Sequence, residues 1–241
     1  MKALILAAGR GNRINEFSEN QNKCMIPFRG KPMIEHTLKR ASATGLNEII
    51  VVVGYKAEDI INHYGIFFEG RRIRYVIQRE QKGLVHAIEC AKDALEEEDF
   101  FLMLADEVMY ASRPAEMMEF FQKEEDIFGV CGILKVDDLE LIRRTYALVK
   151  DDNNTIFRLI EKPRKPLNEY QGTGHCIFKN RILEYIEITP LHHERKEKEL
   201  PDLIQCCIDD GRIVKAFDVC ERYVNINSAK DLITAEGFLS P

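Results

Sequence analysis

Leu6-Ala7-Ala8-Gly9-Arg10-Gly11-Asn12-Arg13, followed further on by Lys23-Cys24-Met25-Ile26-Pro27, is the stretch on which the reading of this chain turns. Ahead of it Lys2-Ala3-Leu4-Ile5-Leu6 reads as a short buried strand, so the small residues fall where a strand has ended and a loop must turn. A loop of Ala and Gly puts no side chain between its backbone N–H groups and an anion, and successive N–H donors can converge on one phosphate. Arg13 and Lys23 add two permanent positive charges, and the combination points to a triphosphate site. Two better-known glycine loops do not match. The dinucleotide fingerprint needs a third Gly where Ile14 stands and a helix opening at once, whereas Asn15 to Asn22 reads as polar loop. The phosphate loop with Gly-Lys-Ser/Thr has only Gly30-Lys31-Pro32 as a candidate, with Met25 in place of its first Gly and Pro in place of the hydroxyl. A plain glycine turn flanked by two surface cations is the structural alternative.

Length and composition bound the rest. A chain of 241 residues, 45% hydrophobic and 31% charged, can bury a full core and reads as a single α/β domain over 1–241. The formal net charge of −6 and the lack of a long basic run argue against nucleic acid as a partner, while Arg10, Arg13 and Lys23 still suit a small anion. Seven cysteines without a Cys-x-x-Cys pair fit a reduced cytoplasm better than a disulfide framework or a zinc site. The apolar run Ala3 to Ala8 is too short for a signal-peptide core or a membrane span, so the expected location is cytoplasmic with no membrane partner. Self-association into a homo-oligomer is left open.

Along the chain, Ile34, Leu38 and Ala41 recur at helical spacing after Pro32, and the helix should end near Gly45. Glu48 to Gly54 is a β-branched run of the kind buried on both faces in a parallel sheet. A helix over Ala57 to Tyr64, a strand over Ile73 to Gln78, a helix over Leu84 to Leu95 and a strand over Phe100 to Leu104 follow. This βαβαβ alternation predicts a doubly wound, mostly parallel, Rossmann-like sheet with ligands at the carboxyl ends of its strands. The loop from Gly9 to Lys23, the segment Gln78 to Gly83 and the pair Asp106-Glu107 should then face one crevice. A carboxylate at a strand end beside a cationic phosphate loop is a place for Mg²⁺, although Asp106 as a helix cap or turn residue is the alternative. In the second half Asp126 to Val136, Arg144 to Lys150, Thr155 to Ile160 and Gly172 to Phe178 read as antiparallel strands that would form a lid on the crevice. Asp151-Asp152-Asn153-Asn154 is a turn signal, and Asn180 to Ile186, Leu200 to Asp210 and Ala229 to Phe238 read as helices. His192 to Glu197 reads as an exposed charged loop rather than a metal site.

These residues resemble the sugar-phosphate nucleotidyltransferase family, to which glucose-1-phosphate thymidylyltransferases and short cytidylyltransferases belong, over nearly the whole chain. The family's phosphate loop matches Leu6 to Arg13 with Lys23 to Pro27, and its base-reading segment matches Gln78 to Leu84. Its metal-binding strand end matches Leu104-Ala105-Asp106, its acceptor motif Glu161-Lys162-Pro163, and its second metal segment Tyr223 to Ser228. The resemblance implies that Arg13, Lys23 and Asp106 are catalytic and that Leu6, Ala7, Ala8, Gly9, Arg10, Gly11, Gln78 and Gly83 hold the nucleotide. It assigns Tyr146, Ala147, Glu161, Lys162 and Gly174 to the acceptor, and Asp106 with Asn225 to Mg²⁺. Residues 1–125 become the nucleotide-binding core and 126–241 the acceptor-binding part. Four departures stand out: Asn12 for Thr or Ser, Asn22 for Pro, Asn225 for Asp, and Ala147 for a Gly that lies against the sugar ring. Uridylyltransferases acting on N-acetylglucosamine phosphate are similar in using Asn at the Asn225 position. The Ala147 methyl and the short chain favour transfer of CMP from CTP to a small phosphate or phosphonate acceptor with release of pyrophosphate. The alternatives are a dTTP- or UTP-dependent hexose-1-phosphate nucleotidyltransferase and a non-catalytic nucleotide-sensing regulatory subunit. Glu107 has no role in this reading.

Overall fold

The structure, a computed structural model, describes residues 1–11, 21–124 and 126–238. The first apolar run forms β1 (Lys2–Ala7); a small hairpin of β2 (Pro27–Phe28) and β3 (Lys31–Pro32) leads into the helix Met33–Ala43. The β-branched run forms β4 (Glu48–Val53), and β5 (Phe67–Phe68), β6 (Arg71–Ile77) and β7 (Phe100–Leu104) complete the first half. β4 and β7 flank β1 in parallel, and β6 extends β4 in parallel. Residues of β1 alternate between two cores because side chains in a strand alternate between faces. Leu4 and Leu6 join the cluster on one face, and Ala3, Ile5 and Ala7 the cluster on the other. Each fully buried Leu or Ile there contributes about 1.5–3 kcal/mol, which anchors the strand that carries the glycine loop.

The second half continues the same sheet. β8 (Glu107–Tyr110), β9 (Gly129–Lys135), β10 (Tyr146–Lys150), β11 (Ile156–Glu161), β12 (Tyr170–Phe178), β13 (Val214–Asp218) and β14 (Arg222–Asn225) follow in order. Ten strands form one sheet with the path β11-β10-β12-β7-β1-β4-β6-β5, with β9 on β12 and β13 on β9. β12 runs antiparallel to β7, β9 and β10, so the antiparallel strands extend the sheet as a wall of the crevice rather than a separate lid. β8 and β14 form a second, two-stranded ribbon. The sheet runs outward from β1 to β4 and β6 on one side and to β7 on the other. The switch point of this doubly wound core therefore lies between β1 and β7, where such folds place their ligands.

Several elements differ from the sequence reading. The helix expected over Leu84 to Leu95 breaks at Ala91 into Leu84–Cys90 and Lys92–Leu95. Asn180–Tyr185 is a tighter 3₁₀ helix. The helix Pro114–Lys123 and strands β8, β13 and β14 were not anticipated. All seven cysteines are free thiols, and among the described residues no helix is long and apolar enough to cross a membrane.

Candidate active site

A cavity of about 560 Å³ opens at the switch point, lined by Leu6, Ala7, Ala8, Gly9, Arg10 and Gly11 from the loop after β1. Lys23, Gln78, Gly83, Asp106 and Asn225 line it too. The sequence-chosen nucleotide residues thus share one cavity; Asn12 and Arg13 lie outside the described residues. Gly11 has φ +67°, and a Cβ built on it would stand 2.8 Å from the Cβ of Lys23. A side chain there would be strained and would crowd the lysine. Asn22, the departure from Pro, is fully buried and ties the loop down. Its Nδ2 donates to the carbonyls of Ala7 (3.3 Å) and Tyr55 (2.7 Å), and its Oδ1 accepts from Cys24 N–H (2.8 Å).

Lys23 is only 6% exposed, yet its charge is met at once. Its Nζ lies 2.7 Å from Asp106 Oδ2 and donates to Asn227 Oδ1 at 3.2 Å. Asn227 Nδ2 in turn donates to Asn225 Oδ1 at 3.0 Å. The ribbon of β8 and β14 builds this arrangement, because Asn225 pairs with Glu107 in register and Ile226 N–H donates to the Asp106 carbonyl at 2.9 Å. Asp106 and Asn225 are thereby brought to one wall of the cavity. Their donors are hard oxygens, the kind Mg²⁺ accepts alongside phosphate oxygens and water.

Glu107 turns the opposite way from Asp106, as successive residues at the start of a strand do. It is 2% exposed. Its Oε1 accepts from Gly174 N–H at 2.8 Å and from the Tyr223 hydroxyl at 2.6 Å, and its Oε2 from His175 Nδ1–H at 3.0 Å. Burial pushes the His175 pKa down against the pull of Glu107, so the ring is neutral at neutral pH with its proton on Nδ1. This carboxylate, unassigned in the sequence, fastens β8 to β12 and β14. A Cβ on Gly174 would meet Leu104 Cγ at 2.3 Å and Glu107 Oε1 at 2.8 Å, so only glycine fits beneath it.

A smaller cavity of about 150 Å³ adjoins the first, sharing Leu84, Leu104 and Asn225 with it. Tyr146, Glu161, Lys162 and Gly174 line it. Tyr146 is a wall rather than a free polar group: its ring lies over Gly172 and its hydroxyl donates to the Thr173 carbonyl at 3.0 Å. Ala147 is a correction. It is buried in the core cluster on the other face of the sheet, next in sequence to Tyr146 and Leu148, which belong to the cluster on this face. Its methyl points away from the crevice and cannot crowd a sugar ring. Glu161 is held between Lys162 Nζ (3.0 Å) and Arg195 Nη2 (3.2 Å), and burial raises its carboxyl pKa against these two cations. Lys162 sits in the left-handed region at φ +42°, a conformation that costs a non-glycine residue about 1 kcal/mol.

The segment read as an exposed charged loop supplies residues that the sequence reading missed. Arg195 reaches Glu161 and ion-pairs with Glu199 at 2.6 Å. Glu197 lines the larger cavity, with its Oε2 2.8 Å from where a Cβ on Gly83 would stand. Gln81 also lines it, donating to the Ala8 carbonyl at 3.0 Å. A run of alternating charge looks the same whether it faces solvent or a polar cavity, so only the fold distinguishes them.

The profile of the nucleotidyl transferase family matches residues 2–238. A UTP–glucose-1-phosphate uridylyltransferase, AglF of Haloferax volcanii, is 32% identical over 98% of this chain and 95% of its own length. A bifunctional GlmU of Methanocaldococcus jannaschii is 29% identical over 99% of the chain, which spans 54% of that protein. A UDP-glucose pyrophosphorylase solved with UDP-glucose superimposes with a TM-score of 0.88 at 21% identity, covering 98% of this chain and 97% of the other. Fold, profile and relatives agree, and this chain belongs to the nucleotidyl transferase family.

Proposed function

We propose that this nucleotidyltransferase moves a uridylyl or thymidylyl group from UTP or dTTP to a sugar 1-phosphate and releases pyrophosphate. The observation that carries the reading is the contact of Lys23 Nζ with Asp106 Oδ2 at 2.7 Å, at the mouth of the glycine loop. It sets a cation and a carboxylate beside the backbone of the glycine loop, around the space where an α-phosphate would lie. The adjoining cavity at Glu161 and Lys162 offers the acceptor a path to the same point. One relative is named a UTP–glucose-1-phosphate uridylyltransferase and another a glucose-1-phosphate thymidylyltransferase, which supports the nucleotide class. The cytidylyl and phosphonate reading rested on the Ala147 methyl together with the short chain, and that methyl lies in the core. A silent regulatory subunit would have no use for Lys23 and Asp106 arranged in this way.

Residues 1–125 would supply most of the nucleotide contacts and 126–241 the acceptor contacts. The Gly9 to Gly11 amides would take the β- and γ-phosphates and Lys23 the α-phosphate. Glu161 would accept hydrogen bonds from sugar hydroxyls, with Lys162 and Arg195 drawing in the sugar's phosphate. An acceptor phosphate with a second pKa near ~6 is already ionised at neutral pH and needs no general base. Its oxygen attacks the α-phosphorus in line, forming one P–O bond as the bond to the β-phosphate oxygen breaks and pyrophosphate leaves. Lys23 meets the charge that develops on the α-phosphoryl oxygens. Asp106 and Asn225 fit Mg²⁺, which when bound supplies charge neutralisation at the phosphates.

The test is pyrophosphate release from UTP, dTTP, CTP, ATP and GTP, each paired with glucose 1-phosphate, N-acetylglucosamine 1-phosphate, phosphocholine and a phosphonate. UTP or dTTP with a sugar 1-phosphate should give the highest kcat/KM. A maximum at CTP with phosphocholine or the phosphonate would overturn the proposal.

A further inference from the structure

Gln78 is buried in the wall of the nucleotide cavity, and its amide orientation is fixed by chemistry. Its Nε2 lies 3.1 Å from the Gly83 carbonyl oxygen and 2.9 Å from His86 Nδ1. A carbonyl can only accept, so the group facing Gly83 must be the NH₂. The second amide hydrogen then points at His86 Nδ1, which must be the unprotonated, accepting nitrogen. The imidazole proton is left on Nε2, 3.8 Å from Cys90 Sγ, a weak acceptor. With both hydrogens committed, Gln78 is left with Oε1, which has no protein partner among the described residues, as its free polar atom at the cavity wall.

We propose that His86 is a positioning residue that locks Gln78 as a hydrogen-bond acceptor, so that the site selects a pyrimidine carrying N3–H, uracil or thymine, over cytosine. The inference rests on the nucleotidyl-transfer reading above and deepens it. Uracil and thymine carry a donor at the middle of their pairing edge; cytosine carries a lone pair there, which would face the Gln78 Oε1 lone pairs. Cytosine can offer its amino group only by sliding along that edge, against the hold of the phosphate loop on the other end of the nucleotide. Without an acceptor at position 86 one Gln78 hydrogen bond is lost and the amide can turn. His86 touches no substrate in this arrangement; it acts through Gln78.

The test separates binding from turnover. Calorimetric affinities for UTP, dTTP and CTP are measured on the wild type, His86→Leu and His86→Gln, with sugar 1-phosphate turnover followed in parallel. Leu removes the acceptor, while the Gln carbonyl can replace it. The wild type should prefer UTP and dTTP to CTP, His86→Leu should lower that ratio about tenfold, the scale of one hydrogen bond, and His86→Gln should restore it. A wild type that prefers CTP, or a His86→Leu variant that weakens all three nucleotides equally or not at all, overturns the inference. Should His86→Leu fail to fold, ¹⁵N shifts of the wild-type imidazole decide: a protonated Nδ1 overturns the lock, and a proton on Nε2 supports it. Selective UTP binding with no transfer to any sugar 1-phosphate would instead overturn the proposed function and leave the lock standing.

Discussion

Asn225 is where a single atom changes the electrostatics of the site. Its neutral carbonyl oxygen already accepts from Asn227 on the cavity wall it shares with Asp106, so a divalent cation held there would meet one protein charge instead of two. Asn225→Asp should lower the Mg²⁺ concentration for half-maximal activity and Asn225→Ala should raise it, read from Mg²⁺ titrations at saturating nucleotide. A titration that ignores both changes would place the metal elsewhere. At Ala147 the expectation is the reverse of the one its sequence position invites. Because the methyl is in the core, Ala147→Gly should leave the order of acceptors as it is and lower stability by about 0.5–1 kcal/mol, from the lost contact and the added freedom of the unfolded chain. A changed order of kcat/KM values would return the methyl to the acceptor site. The glycine loop, Lys23 and Asp106 were legible because their chemistry depends on residue type and on position at a strand end. Arg195 and Glu197 were not, since a charged residue carries no mark of the surface it faces.

The ribbon of β8 and β14 and the helix Ala229–Gly237 behind it form the least legible element, and the placement of Asp106 and Asn225 depends on it. β8 opens on a buried glutamate, and β14 is four residues long, so neither has the apolar run that marks β4 or β7. The helix is fastened by Asp231, which accepts from Asn227 N–H (2.9 Å) and the Ser228 hydroxyl (2.9 Å) and pairs with Arg144 (2.9 Å). Burial alone would raise the Asp231 pKa, but these hydrogen bonds and Arg144 outweigh it and hold the carboxyl below the usual aspartate range. A depressed folded-state pKa stabilises the fold above the unfolded value near ~4 and loses that contribution as pH falls through the lower, folded value. Wild-type stability should therefore drop below about pH 4 more steeply than that of Asp231→Asn, which should be the less stable of the two at neutral pH. Chemical denaturation at several pH values checks this; parallel pH curves would remove Asp231 as the anchor. Ser228 caps the helix by accepting from Asp231 N–H, a local contact between near neighbours, whereas the partnership with Arg144, far away in the chain, leaves no local signal.

At the scale of the whole molecule, the parallel half was legible because continuous β-branched runs alternate with helical spacing, and the topological rule then selects the strand ends. The antiparallel half was legible as strands but not as a continuation of one sheet, since pairing of β12 with β7 is set by packing rather than by pattern. That continuity brings the smaller cavity, the proposed acceptor site, against the larger one proposed for the nucleotide, and leaves Asn225 on the boundary of both. Glu107 holds the junction, tying β8, β12 and β14 through three hydrogen bonds. Glu107→Ala, which strands buried partners, should cost about 3–5 kcal/mol in denaturant unfolding; a loss under 1 kcal/mol would deny it that role. The central claim is that Lys23 and Asp106 at the switch point carry nucleotidyl transfer to a sugar 1-phosphate. The most direct measurement is ³¹P NMR of UTP, glucose 1-phosphate and Mg²⁺ with the wild type, Lys23→Ala and Asp106→Ala. The account expects the wild type to form a UDP-sugar and equimolar pyrophosphate, with each folded variant slower by about 100-fold or more. UDP-sugar formed at near wild-type rate by either variant, or only UTP hydrolysis by the wild type, would contradict it.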